Sequence, residues 1–226
     1  MKYENISKAY FVDRPNRFIA HCRVGKNIET VHVKNTGRCR ELLIPGVTVY
    51  LEKSNNPNRK TLYDLVAVEK GNTLINMDSQ SPNKAVGEWL RSGGFLENPT
   101  RVKPETQYGN SRFDFYIEND HEKAFVEVKG VTLENDGIAC FPDAPTQRGA
   151  KHLKELISAK NEGYRAAVLF VIQMKGVHEF IPNDITDKNF ADTLRTAYDA
   201  GVEVLAMDCI VTHDSMVIDE KVKVKL

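Results

Sequence analysis

The chain up to about residue 80 carries short apolar runs in which apolar and polar residues alternate. A period of two is typical of half-buried β-strands, and the runs are separated by turn signals such as Gly25-Lys26-Asn27 and Pro45-Gly46. No long helical pattern interrupts them, so residues 1–80 are predicted to form a small β-barrel of the OB type. The strands of this barrel are predicted at 18–24, 28–33, 47–51, 62–68 and 73–77.

After residue 80 the apolar spacing changes to that of helices alternating with buried strands. The apolar run at 166–172 is uninterrupted, which is typical of a central strand covered on both faces. Residues 81–226 are therefore predicted to form an α/β domain with a mixed sheet. Helices are predicted at 83–92, at 147–162 and at a segment through 190–198 that ends at Gly201, with strands in 111–133, 166–172 and 202–206.

Charge is balanced in total but not along the chain. The 226 residues contain 31 Lys and Arg against 31 Asp and Glu, so the net charge of zero points to no partner. Residues 1–80 hold 13 basic and 8 acidic side chains, a net of +5, and residues 81–226 hold 18 and 23, a net of −5. This asymmetry is consistent with a polyanion-binding surface beside a cation-binding centre, and it is equally consistent with an ordinary solvated surface.

Cysteine usage and hydropathy bear on the compartment. Cys22, Cys39, Cys140 and Cys209 are far apart and form no C-x-x-C pair, so neither a zinc site nor a disulfide framework is expected. The N-terminal segment has no apolar signal core, and no run approaches the roughly 18 apolar residues of a membrane span. A cytoplasmic protein with reduced thiols and no membrane contact is expected.

Two acidic residues within apolar strands stand out in the segment 111–130. A polar turn at 119–122 separates the strand that contains Asp114 from the strand that contains Glu127. If the turn is centred between residues 120 and 121, Asp114 lies opposite Glu127, with Cβ atoms about 5 Å apart. Facing carboxylates destabilise a sheet unless a cation lies between them, so the register predicts a divalent-metal site.

The segment Glu127-Val128-Lys129 supplies the other groups that phosphodiester hydrolysis needs. Lys129 shares a face with Glu127, where it can orient a water molecule or stabilise developing negative charge, and Val128 can offer its carbonyl to the metal. Mg²⁺ or Mn²⁺ is the expected ion, because it polarises a phosphate and acidifies a bound water. An exposed Glu-Val-Lys is common in ordinary strands, so the pairing with Asp114 is what favours a site.

A set of distinctive short motifs is spread over both predicted domains. They are Asn16-Arg17-Phe18, 32–38, 41–46, Arg59-Lys60-Thr61, 108–115, Glu127-Val128-Lys129, 141–144, Thr146, Arg148-Gly149 and Lys151-His152-Leu153. In these motifs the chain resembles the sugar fermentation stimulation protein A family over nearly its whole length.

The resemblance implies a DNA-binding protein with an OB-like N-terminal domain and a C-terminal domain similar to PD-(D/E)XK nucleases. It implies Asp114, Glu127 and Lys129 as the nuclease-like triad, although Phe113 stands where such nucleases often have proline. A further acid often comes from the first helix of that fold, and Glu88 is the match. Glu105 is a weaker rival, and Glu88 can equally be a solvent-facing helix residue.

Basic residues in both predicted domains are candidates for contacts with nucleic acid. In the barrel, the turn Asn35-Thr36-Gly37 could present backbone amides to a phosphate. The aromatic residues Phe18, Tyr50 and Tyr63 could stack on bases or simply fill the barrel. The predicted phosphate-binding residues are Arg17, Lys34, Arg38, Arg40 and Lys60 in the barrel and Arg148, Lys151 and His152 at the start of the helix 147–162.

Together these features predict a DNA-binding protein with a metal-dependent nuclease site. The alternative is a non-catalytic DNA-binding regulator of sugar-utilisation genes that keeps a nuclease-like scaffold. Opposed carboxylates favour the enzyme, since a pure binder has no need of them, and no helix-turn-helix pattern is visible. DNA against RNA, the strandedness of the DNA and the oligomeric state stay open.

Overall fold

The computed structural model describes residues 1–35 and 37–226. Its first part is a barrel in which the strands pair in the order β3-β2-β1-β4-β5, and a parallel pairing of β3 with β5 closes it. This confirms the predicted OB-type barrel. The strands are β1 (Ile6–Asn16), β2 (Ile19–Val24), β3 (Asn27–Val33), β4 (Thr48–Lys53), β5 (Tyr63–Lys70) and β6 (Thr73–Asn76).

Strand β1 was missing from the predicted strands, although it lies between β2 and β4 in the barrel. Only Ala9 and Phe11 of this long strand are buried, and its register shifts between Phe11 and Asp13. The alternation is therefore too weak to stand out in the sequence. The predicted strand 73–77 is β6, which pairs with β5 and extends the sheet beyond the closed barrel.

The second part is built on a mixed sheet of order β15-β14-β12-β9-β8-β7. Strand β12 is parallel to both β9 and β14, and the pairs β8–β9 and β7–β8 are antiparallel. The predicted central strand 166–172 is thus confirmed. The strands are β7 (Arg101–Tyr108), β8 (Ser111–Glu118), β9 (Lys123–Val131), β12 (Arg165–Ile172), β14 (Glu203–Val211) and β15 (Met216–Lys221).

Helices cover both faces of this sheet. Helix α1 (Ser81–Arg91) packs on one face, and α2 (Gln147–Asn161) and α3 (Lys188–Asp199) pack on the other. The Thr146 side chain caps α2 by accepting a hydrogen bond from the Gly149 N–H at 3.0 Å. Beside α3 lies a small sheet of β10 (Glu134–Asn135), β11 (Ile138–Phe141), β13 (Glu179–Pro182) and β16 (Lys223–Val224).

Gln173, directly after β12, joins the two parts of the molecule. Its carbonyl accepts from the Asn76 N–H at 2.9 Å, and its buried side-chain amide donates to the Asn76 carbonyl at 2.9 Å. Ser81, the first residue of α1, donates to the Asn76 side chain at 2.8 Å. This buried network fixes the start of α1 to the end of the central strand. Within the described residues, no helix is long and apolar enough to cross a membrane.

Candidate active site

The β8–β9 hairpin has the register expected from the sequence. The opposed pairs run from Glu118 with Lys123 to Phe115 with Val126. The next residues along the two strands are Asp114 and Glu127. Here a side-chain oxygen takes the place of a backbone acceptor between the two strands. Asp114 Oδ2 accepts a hydrogen bond from the Val128 N–H at 2.7 Å. The carboxylate of Asp114 is therefore held against the backbone of β9.

Strand β8 changes its orientation at Asp114. The Phe113 ring contacts Phe125 and His152, with centroid distances of 5.2 and 6.4 Å, so it faces α2. The Phe115 ring instead lies beside Gly87 of α1, where an added Cβ would come within 3.4 Å of it. In a regular strand, residues two apart share a face, so the chain twists between them. This twist turns Asp114 toward the cleft beside α1.

Asp114 accepts hydrogen bonds on both of its carboxylate oxygens. Asn83 of α1 donates from Nδ2 to Oδ1 at 2.8 Å, and the Val128 N–H donates to Oδ2. Burial, followed by the negative charge of Glu127, raises the pKa of Asp114 above its ordinary value. Asn83 has no counterpart in the sequence prediction. A polar residue in the first turn of the helix was the only available sign of it.

Glu127 is buried, with 2% of its surface exposed, and its two oxygens differ in their surroundings. Lys129 Nζ donates to Oε1 at 2.5 Å, and His152 Nδ1 pairs with the same oxygen. No donor among the described residues reaches Oε2, although this atom is buried. Burial alone would raise the pKa of Glu127, but His152 and Lys129 outweigh it and lower that pKa.

These residues fit a hard divalent cation. Such ions prefer carboxylate and carbonyl oxygens, and both Asp114 and Glu127 provide oxygens at adjoining positions of two strands. A buried carboxylate oxygen without a donor is costly, and a cation would neutralise it together with the repulsion between the two acids. The pKa values of the pair are shifted in opposite directions, which is characteristic of functional carboxylates.

A cleft of about 590 Å³ opens beside Asp114, between α1 and β7. Glu88 lines this cleft, but 60% of its side chain is exposed and it pairs with the terminal ammonium of Met1 at 2.6 Å. Glu105 also lines the cleft, and it pairs with Arg112 at 3.4 Å. Of Glu88, Glu105 and Asn83, it is Asn83 that donates a hydrogen bond to Asp114.

Lys34 is turned into the protein instead of toward solvent. Its side chain is 15% exposed, and Nζ lies 3.2 Å from Asp64 and 3.3 Å from Asp78. Burial disfavours the ammonium, but Asp78 and Asp64 outweigh it and raise the pKa of Lys34. This placement differs from the expected phosphate contact. Of the turn 35–37, Thr36 lies outside the described residues.

Arg17, Arg38 and Arg40 are exposed and line a cleft of about 270 Å³ on the barrel. Arg14 organises its wall by donating to the carbonyls of Asn35, Gly37, Arg38 and Arg17 at 2.7–2.9 Å. These bonds direct carbonyl oxygens inward and leave the neighbouring arginine side chains outside. Lys60 is also exposed, in the loop that precedes β5.

The aromatic residues of the barrel divide into buried and exposed ones. Tyr63 is 9% exposed, and Tyr50 is half-buried and donates to Glu69 at 2.8 Å. Phe18 is 45% exposed, with the Arg17 guanidinium 4.8 Å above its ring. Tyr10, which the sequence prediction did not include, is 39% exposed beneath Arg23 in the same way. Tyr10 lies in β1, and the alternation of apolar and polar residues in this strand is too weak to indicate its position from the sequence.

The start of α2 holds the remaining predicted residues. Arg148 and Lys151 are exposed, and Lys151 donates to the Asn110 carbonyl at 3.2 Å. His152 is 5% exposed, and both of its ring nitrogens have partners, Glu127 and Arg148. Its placement therefore differs from the expected surface contact with phosphate.

The fold defines a two-domain class of protein, an OB-type barrel followed by an α/β domain with a mixed sheet. Two family models match this chain, the SfsA N-terminal OB domain over residues 12–77 and the sugar fermentation stimulation protein RE domain over residues 80–215. The chain belongs to the sugar fermentation stimulation protein (SfsA) family.

Relatives and a solved structure agree with this assignment. Sugar fermentation stimulation protein homologs of Ruminiclostridium cellulolyticum and Clostridium beijerinckii are 55% and 57% identical, with 100% of each chain covered. The structure of Pyrococcus furiosus SfsA in complex with Ca²⁺ is 30% identical, with a TM-score of 0.90, and the match covers 100% of this chain and 98% of that one.

Proposed function

We propose that this protein binds DNA and hydrolyses phosphodiester bonds with Mg²⁺ or Mn²⁺. The observation that carries the proposal is the buried Oε2 of Glu127, which no donor within residues 1–35 and 37–226 reaches, on a carboxylate whose negative charge raises the pKa of Asp114. A protein that only binds DNA gains nothing from holding two acids together in this way. The cost of such an arrangement is recovered when the two acids bind a cation.

Asp114 and Glu127 would hold the cation, and the Val128 carbonyl is the third candidate ligand. The cation would supply polarisation of the phosphate and acidification of a bound water. Lys129 would stabilise negative charge that develops on the phosphate or orient the attacking water, since its ammonium already lies at Glu127. Glu88 would act through a water molecule from the rim of the cleft.

The solved relative supports the choice of a hard cation. Pyrococcus furiosus SfsA was solved in complex with Ca²⁺, an ion that takes oxygen ligands as Mg²⁺ and Mn²⁺ do. The two proteins share their fold over the whole chain, with a TM-score of 0.90, so the α/β domain is common to both. We infer that the same class of ion binds at Asp114 and Glu127.

DNA would be held by exposed basic groups on both domains. Arg17, Arg38 and Arg40 present guanidinium groups around one cleft, and guanidinium groups bind phosphate oxygens well. Lys60, Arg148 and Lys151 add exposed positive charge. Lys34 and His152 are not part of this surface, because Lys34 pairs with Asp64 and His152 with Glu127 inside the protein.

A cleavage assay tests the proposal. Single-stranded, duplex and branched DNA would be incubated with the protein in Mg²⁺, in Mn²⁺ and in a chelator. Cleavage should require the metal and should fall by at least about a hundredfold in Asp114→Asn and in Glu127→Gln. Asp184→Asn is the matched control, because Asp184 is an exposed acid paired with Arg195.

The outcomes separate the two functions predicted from the sequence. Metal-dependent cleavage that persists in both purified site variants would place the activity elsewhere or in a contaminant. DNA binding without cleavage on all three substrates would reject the nuclease and leave the non-catalytic regulator.

A further inference from the structure

Both hydrogen-bond donors of Glu127 lie on one of its oxygens. Lys129 Nζ and His152 Nδ1 contact Oε1, and no described residue donates to Oε2. We propose that His152, held in place by Arg148, is a positioning residue that anchors Oε1 of Glu127 so that Oε2 is presented to the cation. The cation part of this inference rests on the proposed function, and the anchoring of Oε1 does not.

Arg148 holds the imidazole ring from the side opposite Glu127. Arg148 Nε donates to His152 Nε2 at 3.3 Å, and His152 Nδ1 contacts Glu127 Oε1. The ring is therefore fixed at both of its nitrogens.

Helix α2 brings the two residues into line. Arg148 and His152 are four residues apart on α2 and so lie on the same side of the helix, one turn apart. Arg148 is exposed and His152 is buried, with its ring edge-on to Phe113 at 6.4 Å. A chain of contacts thus runs from the surface through the imidazole to the carboxylate.

This geometry excludes two simpler roles for His152. Each ring nitrogen already has a protein partner, so neither is open to a phosphate group or to direct binding of a metal ion. Partners that orient a ligating group are a regular feature of metal sites, and their loss typically lowers metal affinity 10–100-fold. His152 has the contacts of such a partner.

The first test determines the geometry in metal-free protein. A crystal structure of the wild type should show Lys129 Nζ and His152 Nδ1 on Oε1 of Glu127 and no protein donor on Oε2. In Arg148→Ala the His152 ring should be less well ordered. A protein donor on Oε2, or a His152 ring turned away from Glu127, would overturn the inference.

The second test measures Mn²⁺ affinity by electron paramagnetic resonance and calorimetry. His152→Phe should bind Mn²⁺ about 10–100-fold more weakly, because it removes the donor to Oε1. His152→Asn, whose Nδ2 can replace the Nδ1 donor, should recover most of the affinity, and Lys160→Ala, an exposed change on α2, should have no effect. Thermal unfolding of each variant would confirm that it is folded.

The possible failures are distinguishable. If folded His152→Phe binds Mn²⁺ as the wild type does, or if His152→Asn is as weak as His152→Phe, the positioning role is wrong. If the wild type itself binds no Mn²⁺, the proposed function and the cation part of this inference fail together. The crystal structure then still decides whether His152 anchors Oε1.

Discussion

Buried carboxylates occur in both domains, but their surroundings are opposite. Asp64 of the barrel has cationic or hydrogen-bonding partners on both oxygens, with Arg59 bound to it in a bidentate manner at 2.5 and 2.9 Å, and Lys34 and His32 nearby. Asp114 and Glu127 lie at adjoining positions of two strands in the α/β domain, and one buried oxygen of Glu127 lacks a donor among the described residues. Both oxygens of the barrel acid have protein partners, whereas the second arrangement leaves one buried oxygen open.

The pKa directions express the same difference. Burial disfavours the Asp64 carboxylate, but Arg59, Lys34 and His32 outweigh it and lower its pKa to about 2. Burial and Glu127 raise the pKa of Asp114. An acid whose oxygens all have cationic or hydrogen-bonding partners serves the fold, and a pair of neighbouring acids that leaves a buried oxygen open is a candidate for function. Burial of a charge alone does not distinguish the two.

The largest effect on stability is expected at the barrel acid. Asp64→Ala removes the counter-charge of Arg59 and leaves Lys34 with Asp78 as its buried acid, so the free energy of unfolding should fall by about 3–5 kcal/mol. Chemical denaturation measures this, with Asp184→Ala as the control for an exposed acid paired with Arg195. A loss of under about 1 kcal/mol in Asp64→Ala would show that the cluster behaves like a surface ion pair.

The second prediction concerns the response of stability to metal. Wild-type protein should gain about 3 kcal/mol at a Mn²⁺ concentration one hundred times the dissociation constant, because the ion binds only the folded state. Asp114→Asn should lose this gain and, without metal, should be as stable as the wild type or more so. A metal-free Asp114→Asn variant that unfolds readily would contradict the contrast with Asp64.

The third prediction separates the two kinds of cation in the barrel. Replacing Arg17, Arg38 and Arg40 with alanine should weaken DNA binding for all sequences and flatten the dependence of log affinity on log salt by about two to three units. Lys34→Ala should leave that slope unchanged, because its ammonium is committed to Asp64 and Asp78. Fluorescence anisotropy at several salt concentrations measures both. An unchanged slope in the triple variant would mean that the basic residues of α2, and not these arginines of the barrel, bind the DNA phosphates.

The smallest effect is a pH dependence. The folded-state pKa of Asp64 is lowered to about 2 from an ordinary 3.8, so its contribution to stability is present above about pH 4 and is lost as the pH falls through 2. The stability difference between wild type and Asp64→Asn should therefore be constant above pH 5 and shrink between pH 4 and 2. A difference that is the same at pH 5 and pH 2 would mean that Asp64 ionises alike in the folded and unfolded chains.

The sequence by itself determined the features that local chemistry controls. The period of two and the turn at 119–122 set the β8–β9 register, which pairs Phe115 with Val126 and so brings Asp114 and Glu127 to the next positions on the two strands. The apolar run of β12 identified the central strand, and the helical spacing located α2 within one residue of its end. Each of these signals lies within a segment of the chain, where alternation and turn preferences act directly.

Only the tertiary structure decided which charged residues are inside and what they contact. Lys34 meets Asp78 at a separation of 44 residues, Asn83 meets Asp114 at 31, and His152 meets Glu127 at 25. A lysine, an asparagine and a histidine have the same local pattern whether they face water or a distant acid. Their roles depend on how the barrel, the sheet and the helices pack, because burial and the charge of a partner are properties of the assembled fold and not of any segment.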